Sequence, residues 1–118
     1  MKKLIFISIL ALAMFSCERK EPLVLGDLLI IAEYESTPEE NVEITLYSSY
    51  DNFLNYVFIE RQLSDEQGEV YFSELVPGWY YFEAEKAKSS LFAVYAMDSI
   101  QVMGTQQVNK ILIMEPAD

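Results

Sequence analysis

Residues 64–85 read SDEQGEVYFSELVPGWYYFEAE. Turn-forming polar residues open the stretch, and Gly68 supplies the positive φ that closes a hairpin turn. Val70 and Phe72 then alternate with polar neighbours, the period-two pattern of a half-buried strand. Pro77-Gly78 breaks the chain again. Pro77 fixes φ and Gly78 turns the backbone, so that the next strand starts in register. Beyond that break Tyr80, Phe82 and Ala84 share one face, while Trp79, Tyr81, Glu83 and Glu85 share the other.

The same pattern continues outward in both directions. On the N-terminal side, residues 41–48 (NVEITLYS) place Val42, Ile44 and Leu46 on one face and Glu43, Thr45 and Tyr47 on the other. Residues 27–34 (DLLIIAEY) form an apolar run of strand length, and 55–63 (NYVFIERQL) are aromatic and β-branched. On the C-terminal side, 91–103 and 106–114 complete the series. The one candidate helix, 85–90, is too short to stand alone. About seven short strands separated by turn signals predict an all-β fold, a single antiparallel β-sandwich spanning residues 26–118.

Gly68, Phe72, Leu75, Pro77-Gly78 and Tyr80 also form a recognisable series. The alternating strand 42–49, the turn ending in glycine, the aromatic, the leucine, the Pro-Gly and the tyrosine resemble the carboxypeptidase regulatory-like, or transthyretin-like (prealbumin-like), sandwich domains. The resemblance covers roughly residues 26–115. It implies the prealbumin-like fold and no activity, because that family shares no active site and a fold does not imply a function. Each residue also has a plain structural role, with Leu75 plugging the core between two strands.

The N-terminus predicts the compartment. Met1-Lys2-Lys3 precedes an apolar run, Leu4 to Phe15, which is basic n-region followed by h-region. Twelve residues are too few to span a bilayer, which takes about 20. Ser16 and Cys17, the one cysteine of the chain, follow. Met14-Phe15-Ser16-Cys17 resembles a bacterial lipobox of the Bacteroides type, and Glu18-Arg19-Lys20-Glu21 is similar to the surface-export signal of that group. This resemblance implies a signal peptide over 1–16, acylation of Cys17, a lipid-anchored tether over 17–25, and a place in a Gram-negative envelope, at the outer membrane. Stable anchoring takes two or more acyl chains.

From Cys17 onward the chain has 102 residues, with 6 basic against 19 acidic side chains, a net charge of −13. That excludes nucleic acid as a partner, since such binding needs Lys and Arg to neutralise phosphate. A lone cysteine forms no internal disulfide, so the core alone must hold the fold.

With no histidine in the chain, Ser-His and Cys-His nucleophile pairs and most zinc sites are excluded. Glu39-Glu40 and Asp65-Glu66 read as solvated loop carboxylates rather than an acid/base couple. Asp65 to Glu69 has its glycine at the wrong position for a calcium loop. A Lys–Asn isopeptide bond, known in bacterial surface sandwiches, could draw on Asn109 and Glu74, but residues 27–34 contain no lysine. The expectation is therefore no enzyme and no cofactor. The outward aromatics Tyr47, Trp79 and Tyr81, with Tyr50 and Phe53 in the nearby loop 48–55, are the candidate binding patch, because exposed rings mark contact surfaces. Envelope proteins or glycans are the partners they would suit, in an interaction or structural module, a carbohydrate-binding accessory lipoprotein or a small fimbrial subunit.

Overall fold

The computed structural model describes residues 24–117. Cys17, the signal segment 1–16 and nearly all of the expected tether lie outside the described residues. The chain folds as β1 (Gly26–Tyr34), β2 (Thr37–Pro38), β3 (Glu43–Tyr47), α1 (Tyr50–Leu54), β4 (Glu60–Leu63), β5 (Glu69–Leu75), β6 (Gly78–Ala87), β7 (Ala93–Val102), β8 (Gln107–Ile113) and β9 (Glu115–Pro116). Two sheets face each other as the expected sandwich. In the first, β1 lies between β5 and β8, and β2 folds back on β1. The second has the order β4-β3-β6-β7-β9. Every described strand pair is antiparallel except β1 with β8, the long strands nearest the two ends of the chain, which run side by side in parallel. The chain leaves the second sheet after β7 and crosses back to the first, which sets that direction.

The core is the alternation made solid. Leu28, Ile30 and Ala32 of β1, Phe72 of β5 and Leu112 of β8 face Ile44, Leu46, Phe82, Ala84 and Val94 of the second sheet. Removing a side chain such as Phe82 fully from water contributes about 1.5–3 kcal/mol. Among the described residues no buried side-chain nitrogen or oxygen lacks a hydrogen-bond partner. Along β7 the inward series Val94, Ala96, Ile100 and Val102 is interrupted by Asp98. Its carboxylate meets Lys110 Nζ of β8 at 2.9 Å, so an ion pair joins the two sheets at their open edge.

Strand directions define two ends. Gly26, Leu75, Gly78 and Val102 meet at the end where the chain enters at Val24. A Cβ on Gly26 would stand 2.1 Å from the Met103 carbonyl oxygen, so only glycine permits the close approach of the two sheets there. The Tyr80 hydroxyl donates to the Val76 carbonyl at 2.6 Å, a tyrosine corner that pins the Pro77-Gly78 turn. At the far end Gly68 takes φ +75° in the turn before β5, as its position in SDEQG predicts.

Three expectations are corrected. Residues 55–59 are irregular, and the strand expected over 55–63 begins only at Glu60, where β3 offers a partner. The loop 48–55 contains a helix, α1, whose N-cap Ser49 accepts from the Asn52 amide at 3.1 Å. Glu39 is buried rather than solvated, held between Lys86 and Lys88. Burial pushes its carboxyl pKa up, but hydrogen bonds and charge from Lys88 and Lys86 outweigh it and hold the pKa below the ordinary value.

Candidate functional site

The outer face of the second sheet is built from the positions that alternate with its core residues. On β3 these are Glu43, Thr45 and Tyr47. On β6 they are Trp79, Tyr81, Glu83 and Glu85, and on β7 Tyr95, Met97 and Ser99. Register sets Tyr47 beside Tyr81 and Ser99, and Thr45 beside Glu83 and Met97. Glu83 therefore stands near the middle of the face. Its two carboxylate oxygens are held from opposite sides: Tyr47 OH donates to Oε1 at 2.7 Å and Tyr95 OH to Oε2 at 3.1 Å. Burial first, and then Glu83, push both phenols up, Tyr95 to about 12 and Tyr47 further.

The candidate patch is thus only partly as expected. Trp79 is 59% exposed and Tyr81 is half-buried. Tyr47 is 1% exposed, which corrects its reading as an open surface ring. It does point to the outer face, but α1 covers it. Phe53 meets Tyr47 edge-on at 5.2 Å between centroids, and Tyr50 stacks on Phe53 at 5.9 Å. Tyr50 also touches Tyr81 at 5.6 Å, which ties the helix to β6. The structure therefore joins Tyr47 and Tyr81 through Tyr50 and Phe53. Trp79 lies two residues along β6, toward the entry end.

Glu83 and Tyr95 were missed as site residues. Alternation placed Glu83 outward, but nothing local paired it with a tyrosine 36 residues earlier and another 12 residues later. Beside the cluster, Arg61 Nε donates to Thr45 Oγ1 at 3.0 Å, and its guanidinium covers the Phe58 ring at 4.4 Å.

Other candidate chemistry is accounted for locally. Asp65 Oδ1 accepts from the amides of Gln67 and Glu69, so this carboxylate shapes its own turn. Asp27 accepts from Tyr71 OH at 2.6 Å and from the Glu74 amide at 3.1 Å, and those bonds hold its pKa low. Asn109 pairs in register with Leu29, and Gln107 Nε2 donates to it. It thus has no lysine opposite it on β1. Two open concavities of about 510 and 450 Å³ lie at the far end of the second sheet and along the β7–β8 edge.

No protein-family model and no curated protein matches the chain. Solved structures do. One is from Pseudomonas aeruginosa, described as a "putative carbohydrate binding protein": TM-score 0.56, 13% identity, over 82% of this chain and 93% of that one. Another is the minor pilin of the Gram-positive pathogen Streptococcus agalactiae: TM-score 0.55, 14% identity, over 81% of this chain and 47% of that one. The chain matches about half the length of the pilin. At these identities the likeness shows a shared β-sandwich fold.

Proposed function

We propose that the protein is a non-enzymatic interaction module of a bacterial cell envelope, anchored by lipid at Cys17 in the outer membrane, and that the outer face of its second sheet binds carbohydrate. The observation that carries this reading is Glu83, held by two tyrosine hydroxyls beside the half-buried rings of Tyr81 and Tyr95. Aromatic faces pack on the C–H face of a sugar ring, and a pre-oriented carboxylate accepts from sugar hydroxyls without first having to be ordered. Both Glu83 oxygens already accept a phenol, an arrangement suited to holding a ligand rather than to moving a proton. The high negative charge selects neutral glycans over uronic or sulfated ones.

The fold likeness to a protein described as carbohydrate-binding supports this reading, and the likeness to a pilin supports a structural subunit equally well. The aromatic face around Glu83 is what favours the glycan. The kinship with transthyretin-like domains rests on the motif Gly68, Phe72, Leu75, Pro77-Gly78, Tyr80. A panel of neutral and acidic oligosaccharides tests the function. The expected result is binding of a neutral glycan, lost in Tyr81→Ala, which stays folded by circular dichroism. Binding of none of the panel, or binding that Tyr81→Ala retains, would overturn it.

A further inference from the structure

We infer that the entry end of the sandwich lies against a lipid bilayer, so that the domain stands on the membrane with its far end pointing away. The inference rests on the proposed anchor for what brings the chain to the bilayer and, in its third support, for which end is held there. Its first support is a segregation of the surface. Leu25, Val76, Trp79 and Met103 are exposed at the entry end, and the loop after α1 adds Tyr56 and Val57. Register and backbone bonds gather them there. Gly78 pairs with Val102 and Trp79 with Gln101. The Thr105 amide donates to the Leu25 carbonyl at 3.0 Å, and the Ile59 amide to Leu46 at 2.8 Å, which returns the loop to β3. The far end carries Glu33, Glu35, Glu40, Asp65, Glu66 and Glu69, beside Lys86 and Lys88 on Glu39, with Leu63, Leu91, Phe92 and Ile113 as exposed apolar exceptions.

Contiguous exposed apolar surface marks a contact site, and tryptophan and tyrosine favour the headgroup level of a bilayer. Carboxylates are repelled by anionic lipid. Those at the entry end, Asp27, Asp51, Glu60 and Glu74, keep the contact shallow, at headgroup depth.

The second support is strain. α1 ends in a Schellman motif: the Val57 amide reaches the Asn52 carbonyl at 2.8 Å, and the Tyr56 amide reaches Phe53 at 3.3 Å. The residue at its turn takes φ +59°, where glycine is the usual occupant. Here it is Tyr56, 80% exposed. A disfavoured backbone conformation kept to present a bare ring points to use of that ring. The third support is where the chain enters. Val24 lies at this end, packed against Gly104. Six residues lie between it and Cys17, and the seven Cα–Cα steps reach roughly 25 Å fully extended. An anchor at Cys17 therefore holds this end, rather than the acidic one, near the lipid.

The single tryptophan, Trp79, is a built-in reporter. The lipidated chain is reconstituted into phosphatidylcholine vesicles with and without brominated lipid, in the absence of oligosaccharide. A second preparation begins at residue 17 with Cys17→Ala and is held on nickel-chelating lipid by an N-terminal hexahistidine tag. This form contains the whole described core and does not depend on acylation. The expected result in both is loss of most Trp79 emission to the brominated lipid and protection from acrylamide. Tyr56→Ser/Val57→Ser, and separately Met103→Ser, should reduce that quenching while the circular dichroism stays unchanged. If only the acylated form fails to join vesicles, the anchor reading falls and the docking reading stands on the tagged form. An unquenched, acrylamide-accessible Trp79 on the tethered chain overturns the docking inference. So does quenching that every variant retains in full.

Discussion

The two sheets turn very different outer faces to solvent. The first presents Leu29, Ile31, Tyr71, Ile111 and Ile113, with Ile113 66% exposed. This face sets branched aliphatic chains among polar Glu33, Glu69, Gln107 and Asn109, and its one described side-chain bond to a carboxylate, Tyr71 to Asp27, is solvent-exposed. The second carries rings rather than branched chains, a helix laid across part of it, and a carboxylate fixed near its centre. The same alternation produced both, so alternation alone does not make a site. What distinguishes the second face is convergence. Tyr47, Glu83 and Tyr95 come from three neighbouring strands, and α1 removes Tyr47 from water.

Substitutions rank the layers beneath and on these faces. Phe82 lies under the second face and belongs to both sheets' shared core. Phe82→Ala should cost about 3 to 5 kcal/mol, much of the stability of a domain this size. Mostly insoluble expression or a collapsed melting transition would show it. Tyr47→Ala comes next, at about 3 kcal/mol, because a covered ring is lost and Glu83 loses a donor. The matched change on the other face, Ile111→Ser, should stay within about 0.5 kcal/mol. Equal costs in urea unfolding would erase the distinction between the faces.

Alkali sharpens the comparison further. The Tyr95 phenol is raised from 10.0 to about 12 and Tyr47 beyond that, chiefly by burial and then by Glu83. A raised folded value favours the protonated phenol in the folded state. The stabilisation is therefore complete below pH 10 and is lost as the pH climbs through about 12. Phenolate absorbance should show Tyr47 and Tyr95 titrating last, coupled to unfolding, after Tyr34, Tyr71 and Tyr80, which are also raised above the ordinary value. Glu83→Gln should lower both only in part, since burial remains. Normal titration of all eight tyrosines would contradict the cluster.

Much of this was legible in the sequence. The period-two runs at 42–46, 70–72 and 80–84 placed the core residues correctly, and Gly68 and Pro77-Gly78 marked their turns. Tyr47 shows where local reading stops. Its outward direction followed from alternation, but its cover comes from a five-residue helix below the length that is stable alone. That helix holds through Phe53 and Tyr50 packing on rings of β3 and β6, which are tertiary contacts. Ser49, whose side chain caps its start, went unread in the loop expected over 48–55. Residues 55–59 misled in the opposite direction. Their β-branched and aromatic composition suggested a strand, yet Tyr56 to Ile59 are exposed and have no ladder to join. Glu39 misled because its partners Lys86 and Lys88 lie 47 and 49 residues away.

The central claim is that the second face binds glycan and the first does not. The most direct test is titration calorimetry of one neutral oligosaccharide against three proteins: the unaltered chain, Tyr81→Ala and Ile111→Ser. Binding should be abolished by the first substitution and left intact by the second, with both variants folded by circular dichroism. Loss of binding in Ile111→Ser while Tyr81→Ala still binds would contradict the claim.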